Sequence, residues 1–308
     1  MGLSTALHLL QAPGGQAPKI TVVERDFSFA RNSAALSAGG VRTQFSLREN
    51  VECSLYGLEV FKKGGLNRLI RGIGGGDGAS AADDVGVDVD VDEVDVQFME
   101  GGYLFLASTE EGERRLKTNL RLQQELGSAG TVMMGPEELR SAFPYLNTDD
   151  LKVGCFSKMD GWLDPYSFLT GVKSALAPHV EYKSSLTDVR MEGGKISEVR
   201  VMTAKRITIQ SSQVTMMMQV MCDGEWSAVD YVVNAAGANA NHLPSLVPGA
   251  APLPVEARVR TVFHFKAKSV RHPKPTEHKP PLTVDPSGVW YRSTGSLAED
   301  NTGDFICG

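Results

Sequence analysis

The spacing of apolar positions changes several times along the chain, and each change marks an element. Leu3, Ala6, Leu7 and Leu10 fall on one face at helical spacing, and Pro13-Gly14-Gly15 ends the helix they predict. Residues 20–23 are nearly all β-branched, the pattern of a parallel strand covered on both faces, and Glu24 stands at its carboxyl end. Val51, Leu55, Leu58 and Phe61 return to helical spacing and predict a helix over 48–61 that ends near Gly64-Gly65. Residues 94–98 and 102–107 flank Glu100-Gly101 and read as an antiparallel hairpin. A helix follows from Thr109 to about Leu126, with Glu110 and Glu111 in its first turn, and a short one lies between Pro136 and Pro144. Asp164-Pro165 carries the N-cap and first-turn residues of a helix to Leu176, which makes Asp164 a cap before it is a catalytic acid.

The second half is richer in strands. Residues 180–189 and 196–203 read as strands joined at Gly193-Gly194, and 208–221 continues with weaker alternation. Asp230-Tyr231-Val232-Val233-Asn234 reads as a buried strand running into the small-residue turn Ala235-Ala236-Gly237-Ala238 and a helix start. Strands over 258–265, 282–285 and 289–292 and from Phe305 onward have no helices between them, which predicts a separate antiparallel sheet.

The opening helix, turn and strand match the second half of a dinucleotide-binding βαβ unit. In that unit backbone N–H groups of a G-x-G-x-x-G turn hold a pyrophosphate at a helix N-terminus, and an acidic residue after the second strand accepts ribose hydroxyls. Gly2 stands as the last glycine of that turn and Glu24 as the acid, so the sequence reads as a fragment that lacks the first strand. On this half-motif alone, a cofactor-free helix and strand fit equally well.

Composition removes other classes. The formal charge of −6 is local: residues 72–96 hold eight Asp or Glu and no Lys or Arg, which leaves 31 basic against 29 acidic groups elsewhere. That Gly/Ala/Ser/Asp stretch has too little apolar surface to order itself, so 72–86 is expected to be disordered. No basic stripe with interleaved aromatics supports nucleic-acid binding, and no apolar run approaches the roughly 20 residues of a membrane span. Asp88-Val89-Asp90-Val91-Asp92 imitates the start of a calcium loop, but Glu93 replaces its glycine and Met99 its bidentate carboxylate. Cys53, Cys155, Cys222 and Cys307 are far apart, and no metal site or disulfide framework is expected. The small residues of Asn32-Ser33-Ala34-Ala35-Leu36-Ser37-Ala38-Gly39-Gly40-Val41-Arg42-Thr43-Gln44-Phe45-Ser46 suit close backbone approach to a bulky planar ligand.

Together, Gly2 with Val22-Val23-Glu24-Arg25, the Ser37-Ala38-Gly39-Gly40 loop, Gly161-Trp162-Leu163-Asp164-Pro165 and Val233-Asn234-Ala235-Ala236-Gly237 resemble the D-amino-acid oxidase (DAO) family of FAD-dependent oxidoreductases. The resemblance implies an α/β fold: a FAD-binding Rossmann-like domain of the glutathione-reductase type, interleaved with an antiparallel-sheet substrate domain of α+β type. The implied FAD-binding domain comprises 1–71 and 146–240, the acidic insert 72–93, and the substrate domain 94–145 and 241–308.

The resemblance also implies FAD held near Gly2, Glu24 and Arg25, by Ser37, Gly39 and Gly40, by the main chain at Val189, and by Ala235, Ala236 and Gly237. Relatives oxidise the C–N bond of small amines or amino acids by hydride transfer to flavin. Arg292 matches the position of an arginine that clamps the substrate carboxylate, with a surface salt bridge as the alternative, and Arg42, at the end of the flavin loop, is a second candidate, to contact either pyrophosphate or substrate. Leu36 stands where relatives with covalent flavin have histidine, so FAD is expected to be noncovalent. The absence of lysine over 304–308 disfavours oxygen as electron acceptor. Within the family, Leu36 to Val51 with Ser54-Leu55-Tyr56 points to a branch that implies a mitochondrial, matrix-facing protein needed for respiratory complex I assembly. A noncatalytic assembly factor with structural FAD and an NAD(P)-binding dehydrogenase are the alternatives. Apparent truncation at both ends carries the expectation that this chain binds FAD poorly and is itself inactive.

Overall fold

The computed structural model describes residues 1–11, 18–62, 64–73, 93–202, 204–210, 215–221, 224–267, 280–294 and 303–308. The Pro13-Gly14-Gly15 stop, Cys222, the calcium-like aspartates and most of the stretch expected to be disordered, 74–86, lie outside the described residues. In chain order the first elements are α1 (Gly2–Leu9), β1 (Ile20–Val23), β2 (Gly40–Val41), α2 (Arg48–Phe61), α3 (Gly65–Arg71), β3 (Tyr103–Ala107), α4 (Glu110–Glu125) and β4 (Thr131–Met134). Next come α5 (Pro136–Ala142), β5 (Val153–Ser157), β6 (Gly161–Trp162), α6 (Pro165–Leu176), β7 (Val180–Lys183), β8 (Ser185–Glu192), β9 (Lys195–Met202) and β10 (Ala204–Gln210). The remainder are β11 (Thr215–Met221), β12 (Glu225–Ala228), α7 (His242–Leu246), β13 (Phe263–Ala267), β14 (Leu282–Val284), β15 (Trp290–Ser293) and β16 (Gly303–Cys307).

Two compact units share the chain: Met1–Asn32, Arg68–Glu93 and Leu169–Val259 form the first, and Ser33–Asn67, Val94–Phe168 and Arg260–Gly308 the second. These bounds differ from the expected division. Residues 33–67 and 146–168 belong to the second unit because β2 pairs with β6 and β5 lies beside β3. Residues 241–259 belong to the first, where Leu243, Leu246 and Val247 pack against Val189, Val199 and Val201.

In the first unit, β1 pairs with β7 in parallel from Ile20 with Val180 to Val23 with Lys183, and the ladder continues as Glu24 N–H donates to Lys183 C=O at 2.9 Å. The expectation that β1 is covered on both faces fails, since its residues alternate between half-buried and exposed and Val23 is 41% exposed. The strand expected over 180–189 divides: β7 stays with β1, while β8 pairs with β9 through two bulges and β12 flanks β9. The expected buried strand over 230–234 does not form either. Among the described residues no strand pairs with it, and Tyr231 and Val233 stay 90% and 60% exposed. A β-branched run becomes a strand only where a partner takes its N–H and C=O groups, so its propensity has nothing to act on here. The helix start expected after it is the 3₁₀ turn Gly237–Asn239.

The second unit is built on one sheet in the order β13-β16-β15-β14-β3-β5-β4, antiparallel throughout except where β14 meets β3. The C-terminal strands are therefore not a separate antiparallel sheet. The hairpin expected from 94–98 and 102–107 is also absent: Gln97 sits at φ +51° with its N–H on Asp95 Oδ1, which turns the chain, and Met99 makes only an isolated bridge to Trp162. Alternate residues of β3 face opposite sides, as the two-residue period requires. Leu104 and Leu106 join Leu139, Phe143 and Leu151 in one core, and Tyr103 joins Trp162 and Leu282 in another. Helix α2 has the predicted bounds, and Asp164 caps α6 as expected, its carboxylate accepting from Tyr166 N–H, Ser167 N–H and Ser167 Oγ. The Ser167 hydroxyl is the chief reason that Asp164 titrates below the usual aspartate range.

Two glycine substitutions should have opposite signs. A Cβ on Gly161 would stand 1.9 Å from the Met99 carbonyl oxygen, whereas one on Gly57, inside α2, meets only the Phe61 ring at 3.7 Å. Gly161→Ala should lower the thermal midpoint, costing about 1–3 kcal/mol through forced backbone movement. Gly57→Ala should raise it by up to about 1 kcal/mol through helix propensity. Thermal unfolding followed by circular dichroism checks both.

Candidate functional site

In the first unit, helix α1 begins at Gly2 without a side-chain cap, which leaves first-turn N–H groups for another acceptor. Gly2 lies beside the small-residue turn, where its added Cβ would be 3.6 Å from the Ala235 Cβ, in ordinary contact. Asn234 shapes the turn: its Oδ1 accepts Ala236 N–H at 3.3 Å and its Nδ2 donates to Ala240 C=O at 2.8 Å. Gly237 takes φ +55°, and a Cβ there would have nothing within 4 Å, so the left-handed conformation rather than crowding calls for glycine. The structure thus brings together two of the expected cofactor segments, Gly2 and the 235–237 turn. Glu24 ends β1 with its Oε1 accepting Asp26 N–H at 3.0 Å, and Arg25 beside it is exposed. Val189 is buried in the β8–β9 core with its N–H on Asp188 Oδ1 at 2.9 Å.

In the second unit, the segment over 37–45 is held residue by residue. Ser37 Oγ accepts Gly39 N–H, and Gly39 sits at φ +67° with its C=O accepting Leu163 N–H at 3.0 Å. A Cβ on Gly39 would be 2.1 Å from Leu163 O, and one on Gly40 would be 2.1 Å from the Tyr103 hydroxyl. These two glycines were expected to leave room for a planar ligand. Instead, protein atoms fill the space at both.

Arg292 is neither an open clamp nor a surface salt bridge. Its Nε and Nη2 donate to Ala38 C=O at 3.1 and 2.8 Å, its Nη1 donates to Ser293 C=O at 2.8 Å, and its guanidinium lies 5.1 Å from the Trp162 ring centre. Burial lowers its pKa from the usual arginine range, opposed by the Tyr103 hydroxyl nearby. Arg42 stands in a cage of aromatic rings, 4.5 Å from the centre of Phe45, 5.0 Å from Phe105 and 5.9 Å from Tyr103. Both guanidiniums act on Tyr103, whose hydroxyl burial nonetheless pushes up to about 12. Each guanidinium thus stands against aromatic rings, and a cation so placed can receive a carboxylate whose remaining body is apolar.

Three participants were missed in the sequence: Tyr103, Thr43 and Asp160. Asp160 is fully buried; its Oδ1 accepts both the N–H and the Oγ1–H of Thr43 at 3.0 Å, and its C=O accepts Gly102 N–H at 2.9 Å. Because Thr43 gives its hydroxyl proton to Asp160, Ser128 must donate to Thr43 (2.8 Å) and Thr131 to Ser128 (2.9 Å). Burial raises Asp160 to about 6, against the stabilising bonds from Thr43 and the nearby Ser157 and Gln44 side chains. No local pattern marks these residues, since Asp160 lies 117 positions from its partner. Among the described residues no group of three potential metal ligands occurs, and no helix is long and apolar enough to cross a membrane.

The family model of FAD dependent oxidoreductase (DAO) matches residues 1–303. FAD-dependent oxidoreductase domain-containing protein 1 of Bos taurus is 31% identical over 96% of this chain and 58% of its own length, and its Xenopus laevis counterpart is 31% identical over 96% and 56%. The chain therefore spans little more than half the length of these relatives. Among solved structures, L-proline dehydrogenase from P. horikoshii superposes with TM-score 0.63 at 17% identity, covering 98% of this chain and 66% of that one. Glycine oxidase from Geobacillus kaustophilus gives 0.61 at 15% identity, covering 99% and 67%. These likenesses show the fold.

The buried carboxylate makes stability depend on pH. Asp160 binds its proton more tightly folded, at about 6, than at its ordinary 3.8, so its contribution is greatest below about pH 4 and is lost as pH rises through 6. A shift of that size corresponds to about 3 kcal/mol. Asp160→Asn should be more stable than wild type at neutral pH, with the advantage vanishing near pH 4, as read from urea midpoints at the two pH values.

Proposed function

Since the chain belongs to the DAO family of FAD-dependent oxidoreductases, we propose that it supplies the cofactor and substrate units of an enzyme that oxidises a small amine or amino-acid-like substrate. The observation that carries this reading is the pair of guanidiniums, Arg42 and Arg292, set against aromatic rings in the second unit. Solved neighbours with this fold include a proline dehydrogenase, a glycine oxidase and an L-amino acid deaminase held with anthranilate, all named for ligands that bear a carboxylate.

FAD, when bound, supplies an acceptor for a hydride from the carbon next to the substrate nitrogen. The residues of the first unit fit its nucleotide half. The uncapped α1 terminus at Gly2 offers N–H donors to a pyrophosphate, beside the open turn at 235–237. On this reading Glu24 would accept ribose hydroxyls, with Arg25 flanking, and the main chain around Val189 would meet the cofactor. Exposed Leu36 offers no nucleophile for a covalent link.

In the substrate unit, Arg292 spends three of its five N–H donors on Ala38 and Ser293, which leaves two that a carboxylate would take. Arg42 supplies the second positive charge, and the rings around it exclude water from the reacting carbon. We further propose a mitochondrial matrix location and a part in respiratory complex I assembly. That rests on the resemblance of Leu36 to Val51, whether the FAD is catalytic or structural.

The protein, purified and saturated with FAD, should show flavin absorbance that acid precipitation releases into the supernatant. Arg292→Lys, which loses the fork on Ala38, should raise KM for an amino acid about tenfold or more, the scale of one charge-assisted bond. A protein without visible flavin, or an Arg292→Lys variant with unchanged KM, would contradict the reading.

A further inference from the structure

Thr43, Gln44 and Phe45 follow Arg42 directly, and each is pinned by a different part of the second unit. Thr43 N–H and Oγ1–H are taken by Asp160, Gln44 Nε2 donates to Tyr103 C=O at 3.0 Å, and Phe45 C=O accepts from Gln123 Nε2 at 3.0 Å. Of these anchors only Asp160 ionises. Among the described residues no cation pairs with it, and its Oδ2, like Gln44 Oε1 and Ser157 Oγ, is buried without a well-formed hydrogen bond.

If the requirement were only to fasten a loop, a neutral side chain would do so with less strain, because an unpaired buried carboxylate loses its hydration and regains only part of it. What the charge adds is strength in one place, since bonds to an ionised acceptor are roughly twice as strong as neutral ones. That place is the amide one residue after Arg42. Asp160 C=O holds the amide of Gly102, one residue before Tyr103, so one residue fixes the chain at two members of the aromatic and guanidinium wall.

We propose that Asp160 is a positioning residue: by holding Thr43 and Gly102 it sets the Arg42 guanidinium against Phe45, Tyr103 and Phe105, and thereby sets the affinity of the site for a carboxylate ligand. The inference rests on the carboxylate reading of this site and adds to it the residue that tunes it. Asp160 does not touch the ligand; it acts through its two neighbours. Its placement explains why the unit carries a destabilising charge, in the way that binding sites commonly trade stability for geometry.

The test uses the FAD-loaded protein with benzoate as probe, read by calorimetry and by the shift of the flavin visible band at equal FAD occupancy. Asp160→Asn keeps the shape and the acceptor oxygen. It should raise the thermal midpoint at neutral pH while weakening benzoate binding by about fivefold or more. Thr43→Val should weaken benzoate in the same direction. Because the two residues act as a unit, the double variant should bind within about twofold of the weaker single variant. Benzoate affinity unchanged in Asp160→Asn would overturn the proposal, and so would affinity and thermal midpoint falling together, since that is what a merely structural residue would do. Wild-type protein that gives no signal with benzoate would instead overturn the carboxylate reading, and this inference with it.

Discussion

The bond from Thr43 N–H to the buried Asp160 carboxylate is the constraint on which the second unit's site depends. Around it the segment over 37–45 is fixed by Arg292 on Ala38, by Leu163 on Gly39, by pairing of Gly40 and Val41 with Trp162 and Gly161, and by Gln123 on Phe45. None of these contacts requires a ligand. The loop whose small residues were expected to suit close backbone approach to a flat ligand is fixed by protein contacts, and it carries Arg42 into its aromatic cage.

This arrangement has a cost that is visible in the same residues. Asp160 titrates near 6 because burial opposes its charge more than Thr43 relieves it, and Tyr103 is pushed up to about 12 for the same reason despite two guanidiniums nearby. The unit tolerates these groups because large apolar clusters flank them, with Leu104, Leu139 and Phe143 almost wholly buried on one side of β3 and Trp162 and Leu282 on the other. On the proposed reading, charge preorganised in low-dielectric surroundings would be worth more to a carboxylate ligand than the same charge in water.

Elements whose signals are local were legible in the sequence. Helix α2 follows from its apolar spacing, and the α6 cap from Asp164-Pro165, because caps and amphipathic faces are decided within a few residues. Elements that need a distant partner were not. The run over 230–234 has strand composition and no ladder partner among the described residues, and 94–98 has alternation that one left-handed residue, Gln97, interrupts. The site divides the same way. Arg42, Arg292 and the Gly39-Gly40 pair stand out as residue types, but Arg292 meets Ala38 across 254 positions, and Asp160 has no spacing that announces it. Sequence therefore singled out Arg42 and Arg292 as candidates and gave no sign of what holds them in place.

Hydrogen exchange at the Thr43 amide tests this account most directly. Held by Asp160, it should be protected in the FAD-free protein to nearly the extent seen with FAD bound, and Asp160→Ala should remove that protection. Rapid exchange at Thr43 until FAD is added would show that the ligand, and not the buried carboxylate, orders the segment.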